Sequence, residues 1–288
     1  GGKITSKGRC HMGWGNEAKE FFEEYRQRYL NDGRKIAGNF RTFIEKIETR
    51  VTRVAYQPYK WLVVLPLLLL STLIFGICAM IFSILVNPRV GSYFGVVWAR
   101  FNSFFTPMIV HKSGTENMEP GVSYVIAANH QSLYDIYVLY GWMGVDFKWV
   151  MKKELEKVPV LGPACKVLGH IFIDRSDTQK AVESINAAKK KIVNGTSVIF
   201  FPEGSRSVDG VMKPFKKGAF KMALDLGLPI LPVTISGTRK ILPKGSIDLR
   251  PGGVTMTIHK PVSVKNYTEE TITDLMDKTR AVMNSTLE

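Results

Sequence analysis

Residues 124–140, YVIAANHQSLYDIYVLY, join two apolar runs through the polar heptapeptide NHQSLYD. The first run, 124–128, has the length of a buried strand, and the second, 136–140, has the composition of a helix body. The heptapeptide between them places His130 and Asp135 just after the carboxyl end of a predicted strand. Open α/β sheets carry their chemistry at that edge.

Two interpretations of the heptapeptide are open at this point. In one, His130 is a general base and Asp135 orients it, because a carboxylate on one imidazole nitrogen leaves the other free to accept a proton. In the other, Ser132 caps the helix and Asp135 stabilises its first turn. Residues five apart on a continuous helix differ in direction by about 140°. The first interpretation therefore requires His130 to precede the helix and Asp135 to lie in its first turn.

Strand-like and helix-like segments alternate after residue 108. The expected strands are 109–113, 122–128, 147–151, 170–173, 197–201, 230–235 and 253–259, and the expected helices are 132–143, 160–168, 177–193, 215–226 and 268–286. This alternation predicts an α/β fold with a mixed, largely parallel sheet flanked by helices, in a domain covering 109–288. Two prolines in PILPV, 229–233, favour an edge or terminal position for that stretch.

The stretch 62–86 contains no charged side chain. As a helix its 25 residues would be about 37 Å long, and a bilayer's hydrocarbon core is about 30 Å thick. A soluble core helix of this length would carry a polar stripe. With a second apolar helix between 92 and 110, the pattern predicts a membrane-embedded helical segment, 61–108. Whether it spans the bilayer or enters one leaflet as a hairpin is open.

The amino-terminal part and the composition add further expectations. Residues 1–12 are small, polar and aperiodic, and are typical of an expression-tag remnant. Residues 13–60 predict two basic amphipathic helices, which either pack on a domain or lie on a membrane surface. The 39 Lys and Arg residues against 25 Asp and Glu residues give a net charge of +14, which favours an anionic membrane or nucleic acid as partner. The three cysteines match no metal or disulfide spacing.

Two further stretches with polar residues follow predicted strands. Arg175 follows the strand 170–173 and is either a plain surface residue or placed to bind a phosphate with two hydrogen bonds. FPEGSRS, 201–207, follows the strand that begins at residue 197, and its glycine allows a sharp turn that exposes Glu203 and Arg206. This loop is either a salt-bridged turn or a phosphate clamp.

Taken in order, these motifs resemble those of the glycerolipid acyltransferases, and most closely the PlsC-type 1-acylglycerol-3-phosphate acyltransferases. NH-x4-D is followed by a strand ending in F-x-x-R, by FPEGSRS and by an apolar segment with proline. The run KKEL at 152–155 strengthens the resemblance, which covers about 109–240. Ser205 stands where the family more often has threonine, and the hydroxyl is kept.

The resemblance implies an enzyme that transfers a fatty acyl group from acyl-CoA or acyl carrier protein to the free sn-2 hydroxyl of lysophosphatidic acid. The product is phosphatidic acid. His130 would be the general base and Asp135 its orienting carboxylate, and neither a metal nor a bound cofactor is implied. Two alternatives remain: another acceptor, such as glycerol-3-phosphate or another lysophospholipid, or a non-catalytic basic membrane-binding protein.

The resemblance also implies which residues bind the acceptor and where the protein works. The implied acceptor- and phosphate-binding residues are Arg175, Glu203, Gly204, Ser205 and Arg206. The implied pocket-lining residues are Lys152, Phe172, Pro202 and Pro232. The implied partners are membrane lipid and the acyl donor, and no nucleic-acid motif is present. The implied location is an inner or cytoplasmic membrane with the catalytic domain on the cytoplasmic side. The oligomeric state is not predicted.

Overall fold

The computed structural model describes residues 54–174, 178–189, 192 and 195–287, together with Glu23, Gln27 and Lys35. The predictions for 1–12, for most of 13–60 and for Arg175 lie outside the described residues. Residues Tyr56–Glu288 form one compact unit, which contains both the apolar helices and the α/β part.

Helices and strands alternate along this unit as predicted. The described helices are α1 (Leu65–Leu85), α2 (Pro88–Phe105), α3 (Tyr134–Trp142), α4 (Leu161–Val167), α5 (Thr178–Ala188), α6 (Gly218–Leu226), α7 (Thr238–Ile241) and α8 (Ile272–Asn284). The strands are β1 (Met108–Ser113), β2 (Val125–Ala128), β3 (Phe147–Lys152), β4 (Ile171–Ile173), β5 (Ser197–Phe200), β6 (Ile230–Ser236) and β7 (Gly252–Ile258). A π-helical turn, Lys60–Val64, leads directly into α1.

The strands form one sheet in the order β1-β7-β6-β2-β5-β3-β4. Five of the six neighbouring pairs are parallel, and only β6 and β7 are antiparallel. The predicted α/β class with a mixed, largely parallel sheet is therefore confirmed. Since β2 lies between β6 and β5 and is parallel to both, the loops that follow these three strands meet at one edge of the sheet.

The sheet is covered on both faces, which explains the uninterrupted apolar composition of β2. Ile126 and Ala128 belong to a buried cluster that includes side chains of α3. Val125 and Ala127 point to the opposite face, where a second cluster includes side chains of α6 and α8. A strand buried in this way is fixed in register, so the position of the loop after Ala128 is fixed as well.

The prediction that the prolines of 229–233 mark an edge or a terminus is wrong as to the edge, because β6 lies between β7 and β2. The Pro232 carbonyl accepts the N–H of His259, 3.0 Å away. The nitrogen and oxygen of one strand residue point to the same side, so the proline nitrogen also faces β7. Pro232 lies just beyond the last β6–β7 pair, Val233 with Ile258, so the missing N–H falls at the end of this ladder and not within it.

Two helices, α1 and α2, form a tight hairpin across a two-residue turn. The Asn87 side chain accepts the N–H of Val90 at 3.0 Å and so caps α2. Gly91 allows the helices to approach closely, since a Cβ there would lie 1.8 Å from Ser83 Oγ. Farther along, the Ser71 hydroxyl and the Asn102 amide form a buried hydrogen bond between the helices.

The hairpin packs on the α/β part through α2 against α3 and through α1 against α4, and one face of α1 is exposed. Arg100 on α2 donates from Nε to the carbonyl of Gly141 on α3, at 2.8 Å. Along and just before α1, large apolar side chains are exposed, among them Leu62, Leu69, Leu70, Ile74, Ile84 and Leu85. In the described part of the chain, one helix, Val54–Leu85, is long and apolar enough to cross a membrane. This helix is not a buried core helix of the unit.

Candidate active site

His130 and Asp135 form a hydrogen-bonded pair at the carboxyl end of β2. His130 lies two residues beyond the strand, and Asp135 is the second residue of α3. The His130 Nδ1 atom is 2.8 Å from Asp135 Oδ2. His130 thus precedes the helix and Asp135 lies in its first turn, which is the geometry that the general-base interpretation requires.

The Asp135 carboxylate is completely buried and has four hydrogen-bond donors. Besides His130, its Oδ2 atom accepts the backbone N–H groups of Gln131 at 2.7 Å and Ser132 at 2.9 Å. Its Oδ1 atom accepts the hydroxyl of Thr238, 2.5 Å away. These bonds compensate for the loss of water around the carboxylate and hold it in one orientation.

The imidazole of His130 is fixed in a position that exposes its second nitrogen. Since a carboxylate can only accept, Nδ1 carries the proton of the shared hydrogen bond, and the neutral ring has a free lone pair on Nε2. The ring stacks on Phe201 with centroids 3.8 Å apart and an interplanar angle of 10°. The side chain is 15% exposed, and Nε2 has no hydrogen-bond partner among the residues described. This nitrogen can take a proton from a bound hydroxyl group.

The loop after β5 holds the backbone of His130 from both sides. Glu203 Oε1 accepts the N–H of His130 at 2.8 Å, and the carbonyl of His130 accepts the N–H of Ser207 at 2.8 Å. Glu203 Oε2 accepts the N–H of Lys213 at 2.9 Å. Burial raises the pKa of Glu203, while the hydrogen bonds from Lys213 and His130 oppose that rise. Both of its oxygens are engaged with backbone groups, so in this structure Glu203 positions the base.

The other residues of this loop present polar groups to solvent. Gly204 has φ +71°, and a Cβ there would lie 2.8 Å from Lys216 Cε, so the turn requires glycine. Ser205 is exposed, and its hydroxyl accepts from Lys213 Nζ at 3.0 Å. Arg206 is half-buried, and no carboxylate in the described part of the chain pairs with its guanidinium. The Arg206 guanidinium is therefore available to an anion.

Comparison with known proteins finds similar sequences and a similar solved structure. Residues 109–236 match the family model described as Acyltransferase. The chloroplastic 1-acyl-sn-glycerol-3-phosphate acyltransferase of Brassica napus is 42% identical over 139 residues, which are 48% of this chain and 40% of that protein. The 1-acyl-sn-glycerol-3-phosphate acyltransferase of Saccharomyces cerevisiae is 36% identical over 178 residues, 60% of this chain and 58% of that protein. In these residues the chain is similar to the acyltransferase family.

A solved structure extends the similarity beyond the matched residues. The crystal structure of the 1-acyl-sn-glycerophosphate acyltransferase PlsC from Thermotoga maritima aligns with a TM-score of 0.67 and 26% identity. The alignment covers 82% of this chain and 96% of that one. The present chain spans about half the length of the first curated relatives it matches, 40%, 52% and 47% of three plant and algal enzymes.

The remaining predicted site residues differ in their exposure to solvent. Lys152, at the end of β3, is exposed and forms an ion pair with Glu154 at 2.7 Å. Phe172 is half-buried in β4, at the edge of the sheet. Pro202 is buried, and its carbonyl accepts the N–H of Lys216 at 2.8 Å. The role of these residues and of Pro232 in lining a substrate pocket stays a prediction.

Asn129 and Thr238 belong to the candidate site and were not predicted from sequence. The Asn129 amide accepts the N–H of Ile235 at 2.7 Å and donates to its carbonyl at 2.9 Å, so it ties the end of β2 to β6. Thr238 follows β6 and reaches Asp135 across the sheet edge. The only sign of Thr238 in the sequence is the preceding Gly237. Glycine favours the turn at the end of β6, where the φ of Gly237 is +96°. Among the described residues, no cluster of His, Cys, Asp and Glu could hold a metal ion.

Thr238 is expected to act as a positioning residue. In Thr238→Val, Asp135 Oδ1 loses its donor in a fully buried site, which costs about 1–3 kcal/mol of stability. We expect the kcat of acyl transfer to fall about tenfold while the KM values stay unchanged, because substrate does not contact this hydroxyl. Thr238→Ser keeps the donor and should restore kcat. Kinetics with thermal unfolding in detergent measures both effects, and a loss of stability with unchanged kcat would show that Thr238 is only structural.

Proposed function

We propose that this protein transfers a fatty acyl group from a thioester, acyl-CoA or acyl carrier protein, to the sn-2 hydroxyl of 1-acylglycerol-3-phosphate. The product is phosphatidic acid. The observation that carries the proposal is the free Nε2 of His130, held open by the bond from Nδ1 to the buried Asp135. The similarity of residues 109–236 to acyltransferases supports the same chemistry, and the names of the relatives support this acceptor.

The chemistry needs no nucleophile from the protein, because the acceptor supplies the hydroxyl. Nε2 of His130 takes the hydroxyl proton as the acceptor oxygen attacks the thioester carbonyl carbon. The tetrahedral intermediate then expels the thiolate as the carbon–sulfur bond breaks, and the imidazolium returns its proton to the sulfur. Asp135 stabilises the imidazolium charge and keeps the ring in position throughout.

The acceptor phosphate requires cationic groups near the base. Arg206 is available to an anion, and its peptide group is directly hydrogen-bonded to His130 through the Ser207 N–H. Guanidinium groups bind phosphate through two parallel hydrogen bonds. Arg206 is accordingly assigned to the acceptor phosphate, and Arg175 is kept as a second candidate on the family pattern.

The hairpin of α1 and α2 supports a location on a membrane, where the acyl chains of the substrates lie. The Tyr59 hydroxyl donates to the carbonyl of Phe105 at 3.0 Å, so the chain segment that leads into the hairpin lies beside the end of α2. Since α2 packs on α3, the hairpin lies along the α/β part with the leucine-rich face of α1 outward. This arrangement favours insertion into one leaflet over a transmembrane span.

The hairpin base also lies close to the active-site edge of the sheet. Lys60, at the start of the hairpin, donates from Nζ to the carbonyl of Ile247 at 3.1 Å. The same loop carries Lys244, whose Nζ donates to the carbonyl of Arg206 at 3.0 Å. A lipid acceptor can therefore present its headgroup to His130 while its acyl chain stays in the bilayer.

An acyl-transfer assay in detergent or vesicles tests the proposal. The purified protein should acylate 1-acylglycerol-3-phosphate, with acyl-CoA and acyl carrier protein compared as donors. A panel with glycerol-3-phosphate and uncharged or zwitterionic lysolipids resolves the acceptor. Faster transfer to one of these than to 1-acylglycerol-3-phosphate would overturn the acceptor assignment. No transfer to any acceptor would overturn the enzyme assignment and favour a basic membrane-binding protein.

A further inference from the structure

Two lysine side chains converge on one backbone oxygen beside the catalytic base. Lys213, from the loop between β5 and α6, donates from Nζ to the carbonyl of Arg206 at 2.9 Å and to the Ser205 hydroxyl at 3.0 Å. Lys244, from the loop between α7 and β7, donates to the same Arg206 carbonyl at 3.0 Å. Because both nitrogens lie near 3 Å from one atom, they are at most about 6 Å apart. We call Lys213 and Lys244 the lysine pair.

Neither ammonium of the lysine pair forms an ion pair in the described part of the chain. The ion pairs found there involve other lysine and arginine side chains. The Glu203 carboxylate interacts electrostatically with Lys213, but both of its oxygens accept backbone N–H groups. The guanidinium of Arg206, the residue on which they converge, is also without a carboxylate. Like charges this close repel each other, so the arrangement favours a bound anion.

Unused hydrogen-bond donors remain on both ammonium groups. An ammonium has three N–H donors, of which Lys213 uses two and Lys244 uses one within the described residues. Three donors are therefore left, in addition to those of the Arg206 guanidinium. A phosphate monoester has three terminal oxygens, which suits a site of this size and charge.

One peptide group connects the lysine pair to His130. The carbonyl of the Arg206–Ser207 peptide accepts from both lysines, and the N–H of the same peptide donates to the carbonyl of His130 at 2.8 Å. With standard peptide dimensions, each ammonium lies within about 8 Å of the His130 carbonyl oxygen. The lysine pair therefore lies at the loop that also holds the backbone of the base.

We propose that Lys213 and Lys244 bind a phosphate group of one of the two substrates and thereby set its KM. This inference rests on the proposed acyl transfer, in which acceptor and donor both carry phosphate. The acceptor has a single phosphomonoester near its hydroxyl, and acyl-CoA has a pyrophosphate and a ribose phosphate. The chemistry recognised is the same in either case, and kinetics can tell the two sources apart.

The test uses the full chain with Lys213→Met, Lys244→Met and both changes together. Loss of a half-buried charged donor is expected to raise KM about tenfold in Lys213→Met, and loss of the exposed Lys244 about threefold. The double variant should show a rise of at least tenfold with kcat within about twofold of the wild type. Lys265→Met removes an exposed lysine far along the chain and is the matched control. Its KM values should equal those of the wild type.

Separate titrations of the two substrates identify the source of the phosphate. A KM that rises only for 1-acylglycerol-3-phosphate assigns the lysine pair to the acceptor, and one that rises only for acyl-CoA assigns it to the donor. In the second case, acyl-dephospho-CoA, which lacks the ribose phosphate, shows whether that group or the pyrophosphate is bound. Unchanged KM values for both substrates in the double variant would overturn the proposal.

Failure of the site and failure of the proposed function give different results. Lys244→Met changes an exposed side chain and Lys213→Met keeps the N–H that binds Glu203, so both variants should fold, which thermal unfolding verifies. If the wild type transfers no acyl group, the proposed function falls, and inorganic phosphate then tests the site alone. A rise in Tm with phosphate that disappears in the double variant would support the site, and equal shifts in both proteins would overturn it.

Discussion

Replacing His130 with alanine is expected to lower the kcat of acyl transfer by about 10²- to 10⁴-fold, the range lost when a general base is removed. Fold and membrane binding should persist, because the contacts of His130 with Glu203 and Ser207 are made by its backbone. Asp135 keeps three of its four donors. Initial rates at saturating acceptor and donor measure the effect, with membrane binding followed by vesicle flotation.

The matched control for this variant is His111→Ala. His111 is an exposed histidine on β1, at the edge of the sheet, and its removal should leave kcat unchanged. If the His130→Ala protein retained more than about a tenth of the wild-type kcat, the fall in kcat would be smaller than removal of a general base causes. The assignment of His130 as base would then be wrong.

Asp135→Asn is expected to have the second-largest effect, a fall in kcat of about 10²- to 10⁴-fold with a smaller loss of stability. The amide oxygen can replace Oδ2 as acceptor for His130, Gln131 and Ser132. The amide nitrogen then faces the Thr238 hydroxyl, which can rotate to accept. The geometry is retained, but the neutral amide no longer stabilises the imidazolium that forms when Nε2 takes a proton. Kinetics and thermal unfolding of the same preparation measure both quantities.

Asp135→Ala separates the structural role of this side chain from its chemical role. Alanine leaves three buried donors and the Thr238 hydroxyl without an acceptor, so this variant should lose several kcal/mol of stability as well as activity. Asp135→Asn should be clearly more stable than Asp135→Ala while both remain poor catalysts. An Asp135→Asn protein with near wild-type kcat would show that the negative charge is not needed.

The two interpretations of the heptapeptide NHQSLYD involve the same turn, although Leu133 and not Ser132 is the N-cap residue of α3. The Ser132 hydroxyl accepts the N–H of Tyr134 at 3.2 Å, and the Asp135 carboxylate accepts the N–H groups of Gln131 and Ser132. The turn that begins α3 therefore uses the same carboxylate that orients His130. Because this turn delays the helix until Tyr134, the five-residue spacing can bring histidine and carboxylate together.

The strands and most helices could be predicted because a strand buried on both faces consists of a continuous run of apolar residues, which is visible in the sequence. All seven strands lie where apolar runs predicted them, with differences at their ends. β2 begins at Val125 instead of 122, since the N–H of Tyr124 binds the Ser197 hydroxyl and not a neighbouring strand. The order of the strands in the sheet is not visible in such runs. For that reason an edge position was wrongly considered for Pro232.

The sequence alone determined the α/β class, the acyltransferase motifs and the apolar segment before them, because each depends on residues close together in the chain. It allowed the pairing of His130 with Asp135 and the hairpin as one of two alternatives each. The tertiary structure decided which other groups hold that pair and what surrounds it. Thr238 is 103 residues from Asp135, and Glu203 is 73 residues from His130. Lys213 and Lys244 meet at Arg206 from two different loops. These contacts exist only because β5, β2 and β6 lie side by side, which brings the loops after them to one edge. No local pattern of residues encodes that adjacency.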